Sequence, residues 1–356
     1  STVIFYNLAP SQSNVTAVVT AVKPSLQSKT KILRRNERIV IDRGSPGIAS
    51  AFNLVPNQYY GLRVDDAEIS LNIPDVSNIV GIFESNDESE PILDKINFVV
   101  GLSLESNVIV GERIYGEDSG AVATAVRVTS PTQVEIAYIN RGRFNPGERV
   151  LFEESSLLAN IQGVVIGTYT DLTRNYTLDQ GQREQFYDYS RIVRNRGVKP
   201  PNKSIVVVCD RWLVPADDSG DCYSANSYAT PFYGRYIPTL RNGSVRATDI
   251  IDFRPRVAPF TDYSSSPFAY ENRQFGSAGS NPTVVVTPNE TARVGYSFYL
   301  GRIDRVYLNA DGKVKVSQGT PAKNPSLPSE VTGAVELARV IYPPYLYDVN
   351  DAKIVN

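Results

Sequence analysis

Between Asp94 and Gly167 the chain never stays apolar for long. "SNVIVGERIYG", "GAVATAVRVTS", "TQVEIAYIN" and "ERVLFEES" follow one another, each a short alternating run closed by Gly, Pro, Asn or Ser. Runs spaced by roughly ten to fifteen residues with turn signals between them build a small barrel or sandwich. Two of these runs also echo each other. "GERIYGEDS" (Gly111–Ser119) and "GERVLFEES" (Gly147–Ser155) share Gly, Glu, Arg, Glu and Ser at matching positions. Repeated acids beside a Gly fit either a pair of ion- or substrate-binding loops or one piece of scaffold used twice. The scaffold reading places each Gly at the bend before an edge strand, with the Glu-Arg pair outward and Ile114 and Val150 inward. On that reading the echo marks the pseudo-symmetry of a small barrel.

The flanks are β-rich as well. "RIVIDR" (Arg38–Arg43), "QYYGLRV" (Gln58–Val64) and "SNIVGIFES" (Ser77–Ser85) read as strands, and "NDESE" as a solvated acidic turn. "NYTLDQGQREQFYDYSRIVR" (Asn175–Arg194) supports two readings. Asp179 as N-cap with Gln182, Phe186, Tyr189 and Val193 at helical spacing suggests a short helix, whereas the β-branched and aromatic content suggests an extended segment. "SIVVVCDRWLV" is a strongly apolar strand, and "PADDSGDCYSANSY" is a loop. Tyr263–Pro282 is a linker or long excursion. Further on, "SFYLGRIDRVYLNADGKVKVSQG" is a hairpin turning at Asp311-Gly312. "VTGAVELARVIY" is a short helix or a strand, and "YPPYLYDVNDAKI" runs out extended. The expected fold is mostly β: a sandwich-type discontinuous domain with an inserted small β-barrel, then a C-terminal β-rich region with little helix. The expected boundaries are 1–93 with 169–262 for the discontinuous domain, 94–168 for the barrel and 263–356 for the C-terminal domain or tail.

Composition narrows the chemistry. The 356 residues contain no His, which removes the usual general base and the commonest metal ligand. The two cysteines, Cys209 and Cys222, cannot close a zinc site without His. Cys209 reads as a small core hydrophobe, and a Cys209–Cys222 disulfide stays open. A net charge of −2 advertises no nucleic-acid surface. No apolar run is long enough to span a membrane as a helix, and "STVIFYNLAP" does not read as a signal peptide. The best metal candidate, Asp217, Asp218 and Asp221, has the wrong spacing for a calcium loop and reads as a turn whose Asp side chains bond their own backbone. No motif singles out a carboxylate pair among the 38 acids for glycoside hydrolysis. The basic runs Lys29–Arg38 and Arg191–Lys199 read as a solvated face or a protein interface. In "DIIDFRP" (Asp249–Pro255), the spacing of acids and Arg254 suggests a carboxylate–guanidinium fork. No catalytic residue, cofactor site or metal site is expected.

Five motifs fall in a telling order: "YTLDQGQREQFYDYSRI", "SGDCYSANSY", "DIIDFRP", "YLGRIDRVYLNADGKVKVSQGTPAKNPSLP" and "ARVIYPPY". Together, over roughly Asn175 to Tyr347, they resemble a domain family of virion structural proteins of contractile-tailed phages, notably those infecting cyanobacteria. The resemblance implies a baseplate, tail-fibre or fibre-attachment protein of the virion tail, assembled in the host cytoplasm. It implies no enzyme, and no catalytic residues carry over. The implied partners are other tail and baseplate proteins and further copies of the chain, with a trimer as the first expectation. The Arg-Asp pairs of "GRIDR" and "DIIDFRP" and the aromatic end "YPPYLY" are the expected ordering or contact elements. A receptor- or glycan-binding adhesin at a fibre tip, with a host surface glycan as partner, is the alternative, and a polysaccharide depolymerase a more distant one. Neither nucleic acid nor membrane insertion is expected.

Overall fold

The computed structural model describes residues 22, 24–41, 59–87, 89–99, 101, 103–229, 236–240, 243, 245–262, 264–275, 293–346 and 348–355. Strands β1 (Ile32–Ile41), β2 (Glu68–Pro74) and β3 (Val76–Ser85) precede the barrel region. There, β4 (Lys95–Phe98), a single-turn helix α1 (Leu104–Asn107), β5 (Arg113–Gly116), β6 (Val122–Ser130), β7 (Gln133–Tyr138), β8 (Arg149–Phe152) and β9 (Leu158–Val165) follow in order. After it come β10 (Tyr169–Asp171), β11 (Tyr176–Asp179), β12 (Tyr189–Arg194), β13 (Ile205–Leu213), β14 (Thr239–Leu240) and β15 (Val245–Arg246). The chain ends with β16 (Arg302–Leu308), β17 (Val314–Ser317), β18 (Val335–Tyr342) and β19 (Lys353–Val355). The fold is mostly β.

Strands from both sides of the barrel region share sheets. One antiparallel sheet has the order β1-β13-β3-β10, and a second has β11-β12-β2. They face each other across a core in which Ile39, Ile41, Ile205, Val207 and Cys209 meet Ile69, Leu71, Ile73 and Ile192. The alternate residues of the first sheet are buried too. Val40, Phe83, Val206 and Val208 pack against Leu93, Val126 and Ala137 at the barrel wall. That double burial explains the unbroken apolar run of β13, since a strand covered on both faces has no solvent side to make polar. Burying each such side chain contributes about 1.5–3 kcal/mol.

In the barrel, β4-β7-β6-β5-β8-β9 pair in sequence and β9 returns to β4, so no edge remains open. Its core holds Phe98, Ile114, Ala123, Val134, Ile136, Val150, Phe152 and Ile161 among others. Asp94 pins the entry and exit together, accepting from the Gly167 amide at 2.7 Å and the Tyr169 hydroxyl at 2.5 Å. The basic run around β1 forms an internal interface. A register shift between Arg34 and Glu37 turns Arg35 and Asn36 to the barrel. There Arg35 pairs with Glu154 and the Asn36 amide donates to the Ala125 carbonyl at 2.7 Å.

Several expectations need correction or resolution. Gln58 lies outside the described residues, and Tyr59–Val64 is a turn instead of a strand. Gly61 takes φ +93° and the Asp66 carboxylate caps the Gly61 and Arg63 amides, so the local bonds favour the turn. Asn175–Arg194 resolves to the extended reading, with β11 and β12 paired antiparallel. "VTGAVELARVIY" resolves to β18, and "YPPYLYDVNDAKI" carries a 3-10 turn at Val349–Asp351 before β19. No disulfide joins Cys209 and Cys222.

Candidate functional site

The echoed segments occupy equivalent positions in adjacent strands, because β5 pairs with β8. Neither is an edge strand. Ile114 and Val150 point inward as expected, but so do Glu112 and Glu148, which are buried. Each glutamate ties down the loop that ends the other repeat. Glu112 accepts from the amides of Ile109 (2.7 Å), Glu154 (3.0 Å) and Ser155 (2.8 Å) and from the Ser155 hydroxyl (2.9 Å). Glu148 accepts from the amides of Asn145 (2.6 Å) and Ser119 (3.0 Å) and from the Ser119 hydroxyl (3.0 Å). An outward glutamate would leave those inner amides without acceptors, and satisfying them draws the carboxylates in. Both bends need a left-handed residue, with φ +91° at Gly111 and +89° at Gly147. Gly111 also lies under Arg35, where a Cβ would come within 2.7 Å of the Arg35 Cβ. The repeat is scaffold, and its two buried acids, Glu112 and Glu148, are fully engaged.

The acidic loop after β13 does a second structural job. Asp218 accepts from its own Gly220 amide at 2.8 Å and from the Thr30 amide at 2.6 Å, while Asp221 accepts from the Gln27 amide at 2.9 Å. These bonds hold the segment ahead of β1 and carry Lys31 into the interior. Its Nζ donates to Asp75 Oδ2 at 2.6 Å and to the Tyr228 hydroxyl at 3.1 Å. Three rings surround it, with centroids at 4.5 Å (Tyr187), 4.6 Å (Tyr223) and 5.0 Å (Tyr228). Burial pushes the Lys31 amine below its usual pKa, against the upward pull of Asp75. Sequence reading missed this pair. Its signal was the alternation of Lys29 and Lys31 in phase with a strand whose inner face is buried.

Beside this network opens a cleft of about 970 Å³. It is lined by the β11–β12 turn (Asp179, Gln182, Arg183), the β14–β15 hairpin (Leu240, Val245) and Asp252 and Arg254 of "DIIDFRP". Gly181 makes the turn possible at φ +74°, because a Cβ there would sit 2.3 Å from the Asp188 carbonyl oxygen. The expected fork forms between Arg254 and Asp252, with Nε to Oδ1 at 3.0 Å and an Nη to Oδ2 at 2.6 Å. Asp249 lies instead near Arg246, at 3.5 Å. Tyr187 donates to Asp252 at 2.6 Å and joins the cleft to the Lys31 cage. Burial raises the Asp252 pKa, yet Arg254 and Tyr187 together hold it below the usual carboxylate range. Such an acid is a poor proton donor at neutral pH, whereas glycoside cleavage needs one raised towards neutrality. Behind the turn, buried Asp188 meets three guanidinium groups, Arg183 (3.3 Å), Arg191 (3.2 Å) and Arg273 (2.9 Å). Among the described residues no group of His, Cys, Asp and Glu is arranged to hold a metal ion.

The C-terminal sheet, ordered β17-β16-β18-β19, has a different character. Register places Val316 opposite Val306, Val314 and Val335 opposite Leu308, and Ile354 opposite Val340, all on one face. This face is open: Val314 is 62% exposed, Val316 53%, Val335 66% and Ile354 67%. Among the described residues from Arg293 onward, only Gly301, Asp304 and Arg305 are buried. Of the Arg-Asp pairs expected in "GRIDR", Arg302 with Asp304 forms at 2.8 Å, whereas Arg305 turns to Glu336 of β18 at 2.5 Å. Of "YPPYLY", Tyr342 lies under Arg302 and Tyr345 meets Tyr299 edge-on at 5.8 Å, while Tyr347 lies outside the described residues. No protein-family model, curated protein or solved structure matches the chain.

Proposed function

We propose that this chain is a structural subunit of a phage virion tail, in the baseplate, tail fibre or fibre-attachment region, and that it works by assembling with further copies of itself. The observation that carries the reading is the uncovered face of the C-terminal sheet. A sheet normally buries one face against another layer, and a single layer gains too little to hold its strands together. The open apolar side chains of β17, β18 and β19 offer on the order of 400 Å², within the range of the largest and often functional patch on a monomer. Two or three such faces brought together supply the missing core, and with their polar rims they approach the ~800 Å² per partner of a standard interface. Among the described strand residues the charges on that face are Arg302 and Asp304, which pair with each other, so the face suits an apolar partner such as another copy of the chain. The motif order shared with contractile-tail proteins supports the location. The amide-capping acids of the barrel and the ion-paired acids of the cleft support a scaffold in preference to a catalyst.

Sedimentation equilibrium of the full chain tests this reading. The wild type is expected to be oligomeric at micromolar concentration, with a trimer the specific expectation. A variant carrying Val316→Asp and Val335→Asp is expected to be monomeric with unchanged circular dichroism, since both side chains face solvent in the single chain. A monomeric wild type at tens of micromolar would remove the basis of the proposal.

A second reading, a glycan-binding adhesin, draws on one specific observation. Tyr296, Phe298 and Tyr299 are exposed close together ahead of β16, and exposed aromatic faces suit sugar stacking. Binding of labelled protein to host lipopolysaccharide, lost in Phe298→Ala, supports it, and absence of binding ends it.

A further inference from the structure

The Lys31–Asp75 contact holds more than an ion pair needs. Both side chains are completely withdrawn from solvent, and amine nitrogen and carboxylate oxygen stand 2.6 Å apart. A buried pair of opposite charges barely offsets the cost of desolvating both partners. Neutral amine and neutral acid, one proton transfer away, carry no such cost, and these are the reactants of amide condensation. The backbone fixes the acid. Asp75 sits at φ +66°, a left-handed conformation that Asp shares with Gly and Asn, and its carbonyl accepts from the Trp212 amide at 3.0 Å. Tyrosine rings line the lysine, so the amine nitrogen meets the carboxyl group in a dry, fixed geometry. Holding the two groups in one site removes the translational cost of a bimolecular condensation.

We propose that Lys31 and Asp75 condense to an intramolecular isopeptide bond. The proton shared across the contact passes to Asp75 Oδ2, leaving a neutral amine and a carboxylic acid. The Nζ lone pair then attacks Cγ, and the charge building on Oδ1 is met by the Gln182 side-chain N–H, 3.4 Å away. A second amine proton passes directly to the departing Oδ2, which stands 2.6 Å from Nζ, while the Tyr228 hydroxyl at 3.1 Å holds the amine in place. The Cγ–Oδ2 bond breaks, one water leaves, and the amide remains. Burial lowers the Lys31 pKa, which favours the nucleophilic form of the amine. The bond would staple the segment ahead of β1 to the corner between β2 and β3, where the two facing sheets meet. This inference is independent of the assembly reading.

Mass spectrometry of the denatured full chain decides the matter. The expected mass is about 18 Da below the sequence value, one water lost. Tandem fragmentation is expected to find a branched peptide joining Lys31 to Asp75. In Lys31→Arg the loss disappears, and in Asp75→Asn it becomes about 17 Da because ammonia leaves instead. Wild-type chain that melts cooperatively yet keeps its full sequence mass overturns the proposal. A loss of water mapped to any other residue does the same.

Discussion

Replacing Glu112 by Ala should loosen the other copy of the repeat more than its own strand. Its carboxylate satisfies three backbone amides and one hydroxyl, two of the amides being those of Glu154 and Ser155 at the end of the second repeat. Leaving a buried donor unsatisfied costs about 1–3 kcal/mol each. Partial rehydration of the 153–155 loop offsets some of that, so a net local loss of about 3–4 kcal/mol is expected. Since 1.4 kcal/mol is tenfold in an equilibrium, amide exchange at Glu154 and Ser155 should quicken by about 100- to 1,000-fold. Glu148→Ala should act in mirror image through Ser119, and less strongly, because it strands two amides instead of three. Hydrogen exchange read by mass spectrometry over peptides spanning 109–120 and 145–157 provides the assay. If Glu112→Ala changed exchange only in its own peptide, or by less than about tenfold at Glu154 and Ser155, the reciprocal capping would be wrong.

Other outcomes follow from the same structure. Gly111→Ala should cost more than Gly147→Ala: both pay the left-handed penalty of about 1 kcal/mol, but only Gly111 is roofed by Arg35, whereas nothing lies near a Cβ at Gly147. Urea titration of the two variants gives the comparison, and equal losses would contradict it. Burial pushes the hydroxyls of Tyr187, Tyr223 and Tyr228 well up. Groups with raised folded pKa values stabilise fully below the unfolded value of about 10 and lose that contribution as pH rises above it. Stability should therefore fall above about pH 10, with these phenols ionising only as the chain unfolds. Phenolate absorbance that rises in full before the circular dichroism changes would refute this.

Much of the architecture was legible in the residues because strand patterning is local. The barrel runs, the β3 and β13 runs and the hairpin at Asp311-Gly312 all announce themselves within ten residues. What was not legible depended on distant partners. Glu112 and Glu148 look like outward charges until the amides they cap are known to lie inside the barrel. Lys31 reads as part of a basic surface, and only the loop bearing Asp218 and Asp221, nearly two hundred residues on, carries it inward. Tyr59–Val64 alternates like a strand, but Asp66 supplies turn bonds that periodicity cannot register. Asn175–Arg194 had two local readings, and the pairing of β12 with β2 from before the barrel decided between them. A fork between Arg254 and a nearby acid was visible from spacing, whereas the choice of Asp252 over Asp249 and its union with Tyr187 and the cleft were not.

We propose that the C-terminal sheet finds its missing core in other copies of the chain. Hydroxyl-radical footprinting of the wild type at micromolar concentration reads this directly, with the Val316→Asp, Val335→Asp double variant as the dissociated reference. Val314 and Ile354 stand 62% and 67% open in the single chain. Both are expected to be protected in the wild type and labelled in the variant. Labelling of these side chains to the same extent in both would contradict it.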